Sequence, residues 1–433
     1  MGIIAHIFVL AYLSMKTITN HAELESAVSV LSAASVLAVD TEFMREKTYY
    51  PKLCLLQIAA EIEGTTEVFL IDPLLNNLDL KPLAQLWSDS NIVKVFHSGF
   101  QDLQILFDAC VAPPRPYFDT QDAAVLIGQS EQVGYAALVS RLLGVKLDKA
   151  DGFTDWAKRP LSEAQLKYAA EDVTYLLQLY PIIKAELKSL GRQSWLDEEF
   201  AHRSSTEALS IDVRTQYRRL KRVSSLKPPQ LAIAREVAAW REKEAMRRDI
   251  PKRWLLPDET VLEIARRAPE NTDAIAELRG VGPSLKRSLH KILAAIEAGK
   301  ACPQEDWPHL PQRTKFSGDD SAAVELMAAI VRKRAQQNRI SSSALAPRAL
   351  LEDYIAHRSD DCALMQSWRR ELIGEELKQL LEGKICLLMK DNCLVIEHLT
   401  SEESAAKAPT ASPTSAATTP TSKTSTQSTE DAE

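Results

Sequence analysis

Apolar runs at 35–43, 53–60 and 67–71 are each strand-length and are separated by polar stretches, with Gly64 in the turn between the last two. Beyond them the period alternates: a helical pattern near 80–87, an apolar run at 92–96, a helical pattern at 100–109 and a long helix from 162. Three strands followed by strand–helix alternation predict an α/β domain, a mixed sheet covered by helices. The long helix carries its own start signal. Ser162-Glu163-Ala164-Gln165 fits a capping box, and Pro160 just before it favours a break in the chain. Leu166, Ala169, Val173, Leu176 and Tyr180 then mark an apolar stripe at helical spacing.

From Pro228-Pro229-Gln230-Leu231 onward the pattern is helical. Segments at 229–246, 258–267, 271–278 and 284–297 are punctuated by Pro251, Pro257, Pro269 and Gly280-Val281-Gly282-Pro283, which predicts a small all-helical domain over 228–302. A basic linker, 210–227, precedes it, a Pro-containing linker, 303–318, follows, and a second helical unit spans 319–397. The tail 401–433 is rich in Ser, Thr, Ala and Pro, with too few large apolar residues to fold. At the other end, Ile3 to Leu13 is apolar apart from His6 but too short to span a bilayer, and it shows neither the basic leading region nor the cleavage site of an export signal. We read 1–14 as an upstream extension or a misassigned start, ahead of a first domain over 15–209; a membrane tether is the competing reading.

Onto this framework the sequence places a set of carboxylates. Asp40 and Glu42 close the first apolar run, and strand alternation puts both on one face. Asp102 follows the run at 92–96. Tyr168 and Asp172 are four apart on the long helix, on a flank of its apolar stripe, where they can face a cleft. Carboxylates brought together repel unless a cation lies between them, and hard divalent ions prefer oxygen ligands. Singly, each position has a plainer reading, as a turn former or a surface pair.

The order of strand D-x-E, then an Asp after a strand, then helical Y-x-x-x-D resembles the tyrosine-bearing branch of the DEDD exonuclease superfamily, and most closely the ribonuclease D family. Leu53-Cys54-Leu55-Leu56-Gln57-Ile58-Ala59, Phe118-Asp119-Thr120-Gln121-Asp122 and Trp156-Ala157-Lys158-Arg159-Pro160-Leu161 add to the likeness, which covers about residues 16 to 400. The resemblance implies a ribonuclease-H-like mixed-sheet exonuclease domain followed by two small all-α domains of the HRDC (helicase and RNase D C-terminal) type. The second of these, with Trp368-Arg369-Arg370-Glu371-Leu372-Ile373-Gly374, is the more divergent match. It further implies that Asp40, Glu42, Asp102 and Asp172 hold two Mg2+ or Mn2+ ions, and that Tyr168 orients a water for in-line attack on the terminal phosphodiester. The implied reaction is 3′-to-5′ hydrolysis of RNA to nucleoside 5′-monophosphates. The implied partners are transfer-RNA precursors and small structured RNAs with a single-stranded 3′ end.

Several further residues have two readings. Phe43 is either a platform for a terminal base or a core residue; Arg159 either contacts phosphate or anchors the loop before the long helix. His97 reads as a packing residue and Asp119 as a helix cap. The Gly280-Val281-Gly282 turn is either a phosphate approach or a tight interhelical turn. The net charge of −7 is an average, and Arg218, Arg219, Lys221 and Arg222 form a basic run that is either an RNA footprint or a solvated face. Six cysteines without C-x-x-C spacing read as free thiols in a cytoplasmic protein, with no zinc and no stable membrane partner. Two other functions fit parts of the pattern. One is a DNA-directed 3′–5′ exonuclease, though no G-x-x-x-x-G-K-[ST] loop accompanies it; the other is a non-catalytic RNA-binding scaffold.

Overall fold

The computed structural model describes residues 13–147, 154–310 and 316–399; most of the N-terminal segment and the whole tail from 401 lie outside the described residues. Six strands form one mixed sheet: β1 (Leu13–Ile18), β2 (Val36–Met44), β3 (Lys52–Ile62), β4 (Thr65–Ile71), β5 (Val93–Phe96) and β6 (Tyr117–Asp119). Their spatial order is β1-β4-β3-β2-β5-β6. β3 runs antiparallel to both β2 and β4, whereas β1, β5 and β6 join in parallel. The strands at 35–43, 53–60, 67–71 and 92–96 therefore appear within two residues of the limits read from the apolar runs. β1 begins two residues before Met15, so Leu13 and Ser14, read as part of the extension, belong to the sheet.

Helices cover both faces: α1 (His21–Leu31), α2 (Ala84–Ser88), α3 (Phe100–Cys110), α4 (Thr120–Leu126), α5 (Tyr135–Leu143) and α6 (Glu163–Ser189). The alternation along β2 decides which side chain meets which layer. Leu37 and Val39 pack with Leu56, Ile58 and the buried residues of α1 and α3. Ala38 points the other way, to a second core with Leu55, Ala59, Leu70 and Val95 against Ala169, Val173 and Leu176 of α6. The capping box of α6 is present: Ser162 caps the backbone of Gln165, whose side chain returns to the Ser162 N–H.

Helices at Pro228–Arg248, Asp258–Arg267 and Leu289–Lys300 build the next domain around a core of their own. It touches the first domain at the loop after β2, where Asp249 accepts from the Tyr49 and Tyr50 N–H groups at 3.0 and 3.1 Å and Glu242 accepts from the Tyr49 hydroxyl at 2.7 Å. In the interhelical turn, Gly280 has φ +91°, and a Cβ there would lie 2.3 Å from the Thr260 hydroxyl; this favours the tight-turn reading. The last unit departs from the all-α expectation. After helices at Gly318–Asn338 and Arg348–His357 it closes on a hairpin, β7 (Ile385–Lys390) and β8 (Cys393–His398). It shares one apolar cluster with the first domain, and Trp195 stacks on Trp368 with centroids 4.7 Å apart.

Candidate active site

Asp40 and Glu42 share the sheet face that carries Ala38, so both look toward α6, where Asp172 waits one turn after Tyr168. Ligand oxygens of Asp40, Glu42 and Asp172 lie within 4.8 Å of one another. Asp102 approaches from the other layer. It sits in the first turn of α3, buried, and accepts a short hydrogen bond from the hydroxyl of Thr41, whose side chain alternation turns it away from Asp40 and Glu42. Thus β2 presents two acids to one side and holds the third through the residue between them. Just past Glu42 the pairing with β3 shifts register, a bulge of the sort that re-aims strand ends beside functional sites.

Among the described residues, the electrostatics are those of carboxylates without counter-charge. Burial, then Asp172, Asp102 and Glu42, hold Asp40 well above the ordinary carboxylate range. Burial and the Asp172 and Asp102 charges push Glu42 up to about 8. Burial takes Asp102 to about 6, against the Thr41 hydrogen bond, and Asp172 to about 7, against a hydrogen bond from Tyr168. Burial and the neighbouring carboxylates raise the Tyr168 phenol in turn, so it remains a donor at neutral pH. Oxygen donors gathered with no basic side chain acting on them among the described residues suit a hard divalent cation.

Similarity to known proteins agrees with this geometry. Residues 15–188 match a family model described as 3′-5′ exonuclease, and residues 230–296 match the HRDC domain. The chain is 37% identical to ribonuclease D of Nitrobacter hamburgensis over 383 residues, 88% of this chain and 99% of that one. It belongs to the ribonuclease D family. Ribonuclease D of Granulibacter bethesdensis is likewise 37% identical, over 86% of this chain and 93% of its own length. Among solved structures, Escherichia coli RNase D, described as an exoribonuclease involved in structured RNA processing, superposes with a TM-score of 0.73 at 28% identity, covering 85% of this chain and 99% of that one. As a ribonuclease D, the chain is a hydrolase, a 3′–5′ exoribonuclease.

The other candidates in this ribonuclease D fall into place individually. The Arg159 guanidinium grips buried Asp72 at 2.5 and 2.8 Å and donates to the carbonyls of Cys54, Trp156 and Lys158, which is the loop-anchor reading. Phe43 is half-buried beside the bulge. Arg218, Arg219, Lys221 and Arg222 are all exposed. His97 packs between Thr120 and the Val133 carbonyl, each 3.0 Å away.

Asp119 does more than cap α4. Its buried carboxylate accepts from the N–H groups of Ser98, Gly99 and Gln121 and from the Tyr117 hydroxyl, at 2.5–3.0 Å. It thereby pins the turn that launches α3 and Asp102. Gly99 is required there, since a Cβ would lie 2.4 Å from the Phe96 side chain. Sequence reasoning gave no role to Thr41 or to Tyr135, whose hydroxyl donates to the Asp172 carbonyl at 2.5 Å. Strand alternation puts Thr41 on the face opposite Asp40 and Glu42, a signal that could have found it; for Tyr135 no local signal exists.

Proposed function

We propose that Asp40, Glu42, Asp102 and Asp172 bind two divalent cations, Mg2+ or Mn2+, and that Tyr168 orients the attacking water, so that nucleotides leave the RNA 3′ end as nucleoside 5′-monophosphates. The observation that carries this reading is the meeting of three carboxylates from β2 and α6 within 4.8 Å. When bound, the cations supply an activated water and stabilise the leaving 3′ oxygen. The chain's residues prepare the place. Thr41 fixes one Asp102 oxygen from behind, and Asp119 fixes the turn on which Asp102 stands. Tyr168, protonated at neutral pH with its one O–H given to Asp172, keeps a lone pair that can accept from a water but does not abstract its proton; it serves as a positioner of water.

The substrates we propose are transfer-RNA precursors and other small structured RNAs with a short single-stranded 3′ end. Two features support them. Helical units contact the nuclease domain at separate places, the loop after β2 and the surface around Trp195. The basic run at 218–222 is exposed just before the HRDC domain. We also assign 319–397 as a second, divergent HRDC-like unit. Six unpaired cysteines suit a reducing cytoplasm; no described helix is long and apolar enough to cross a membrane.

The test is digestion of a 5′-labelled transfer-RNA precursor with a 3′ trailer, beside a matched single-stranded DNA, with and without Mg2+, by the parent and by Asp40→Asn. The expected result is a metal-dependent ladder shortening from the 3′ end on RNA and absent in the variant. Equal shortening of DNA would remove the RNA assignment, and activity surviving Asp40→Asn would remove the metal assignment.

A further inference from the structure

The acid-bearing face of the sheet holds one more polar side chain. Gln57 stands on β3 in register with Asp40, between it and Leu70 of β4, in the layer of Leu55 and Ala59 under α6. It is 0% exposed, and among the described residues neither its Nε2 nor its Oε1 has a hydrogen-bond partner. A side-chain amide offers two donors and accepts twice, and leaving all of that unmet in a buried layer opposes folding. An apolar residue of the same length would suit this neighbourhood better if packing were all that mattered. The polar groups that strand pairing places beside it are carboxylates: Asp40 directly across, with Cβ atoms about 4.5–5.5 Å apart in such pairs, and Glu42 on the diagonal.

We propose that Gln57 is a positioning residue of the metal centre: its amide holds the Asp40 carboxylate across the strand pair through one buried water, in the orientation that receives a cation. The proposal rests on the assignment of Asp40 as a metal ligand. Hydrogen bonds from behind a ligating carboxylate fix its rotation and tune its basicity, and their loss typically weakens metal affinity 10–100-fold. The unpaired amide is thus retained at a cost to stability because it acts on Asp40. A second orphan supports the view that this layer serves the site rather than the fold: among the described residues the buried Trp156 Nε1 also has no hydrogen-bond partner, and its ring lies 6.0 Å from that of Tyr168.

The experiment uses Gln57→Met, nearly the same in length but without the amide, in the full chain. Mn2+ binding is measured by calorimetry on metal-stripped protein, alongside kcat, KM for a short RNA and the unfolding temperature without metal. The expected result is Mn2+ binding weakened about 10-fold, a lower kcat with KM little changed, and a metal-free unfolding temperature that is equal or higher. Mn2+ affinity within twofold of the parent overturns the proposal, whatever happens to stability. Should Gln57→Met not fold, Gln57→Asn, which draws the amide back by one methylene, is judged by the same affinity criterion. Asp40→Asn separates the two layers of the argument. If it too binds Mn2+ like the parent, the metal assignment fails; if it binds weakly while Gln57→Met does not, only the role of Gln57 fails.

Discussion

In the helical domain between Pro228 and Lys300 each buried acid stands beside a base: Asp258 with Arg241, Glu242 with Lys252, and Glu244 with Arg247 and Arg248. Where Asp40, Glu42, Asp102 and Asp172 gather, the charges that act on the acids are other acids. Two glutamates measure the contrast. Hydrogen bonds from Arg247 and then Arg248 take Glu244 down to about 2, while burial and two carboxylates take Glu42 up to about 8. Charge compensated within the chain is architecture; charge left uncompensated makes room for something from solution.

The contrast breaks most severely at its acidic pole. Asp40→Asn or Asp172→Asn is expected to lower kcat at least about 100-fold, and, in metal-stripped protein, to raise rather than lower the unfolding temperature by removing a carboxyl that the folded state forces to keep its proton. Calorimetry with and without EDTA checks the second part. A comparable change in the compensated region acts in the other sense. Arg241→Ala strands Asp258 and is expected to cost about 3–5 kcal/mol of stability in denaturant unfolding, with cleavage of a trinucleotide by the folded fraction intact.

The next effect is one of pH. Because Asp40, Glu42, Asp102 and Asp172 keep protons in the folded state that the unfolded chain has already released, their contribution to stability is greatest at acid pH. It falls as pH rises from the ordinary carboxylate range near about 4 through the folded value of about 8 for Glu42. Metal-stripped protein should therefore lose stability over that window, and Mg2+ should restore more of it at pH 8 than at pH 6. A flat profile that Asp40→Asn does not alter would show the cluster to be compensated after all. The smallest effect belongs to the exposed run. Neutralising Arg218, Arg219, Lys221 and Arg222 is expected to flatten the salt dependence of RNA binding by about one unit of slope per true phosphate contact, leaving short-substrate hydrolysis near that of the parent.

Much of this was readable along the chain because it obeys local periods. The central strands follow their apolar runs, and α6 starts where its capping box says. The acids were legible since strand and helix spacing place Asp40 with Glu42 and Tyr168 with Asp172 before any tertiary contact is known. What escaped depends on contacts between distant residues. The bond of Thr41 to Asp102 spans 61 positions, and that of Tyr135 to the Asp172 carbonyl spans 37. β6 is three residues long, too short for a period to register, and β7 and β8 lie in a stretch whose composition also suits a helix. The fate of Arg159 was undecidable without Asp72, 87 positions away.

The two junctions of the helical units have a thermodynamic consequence. The chain leaves the nuclease domain, touches it again through Asp249 and Glu242, and later returns through Trp368, through the Asn338 carbonyl that accepts from Arg192 at 2.7 Å, and through Ser341 and Ser343 on Glu131. Each contact is thus a tethered, intramolecular encounter. If one opens, the covalent path and the other hold its halves at high effective concentration, and it re-forms without a search. Opening at one joint therefore leaves the units held at the other.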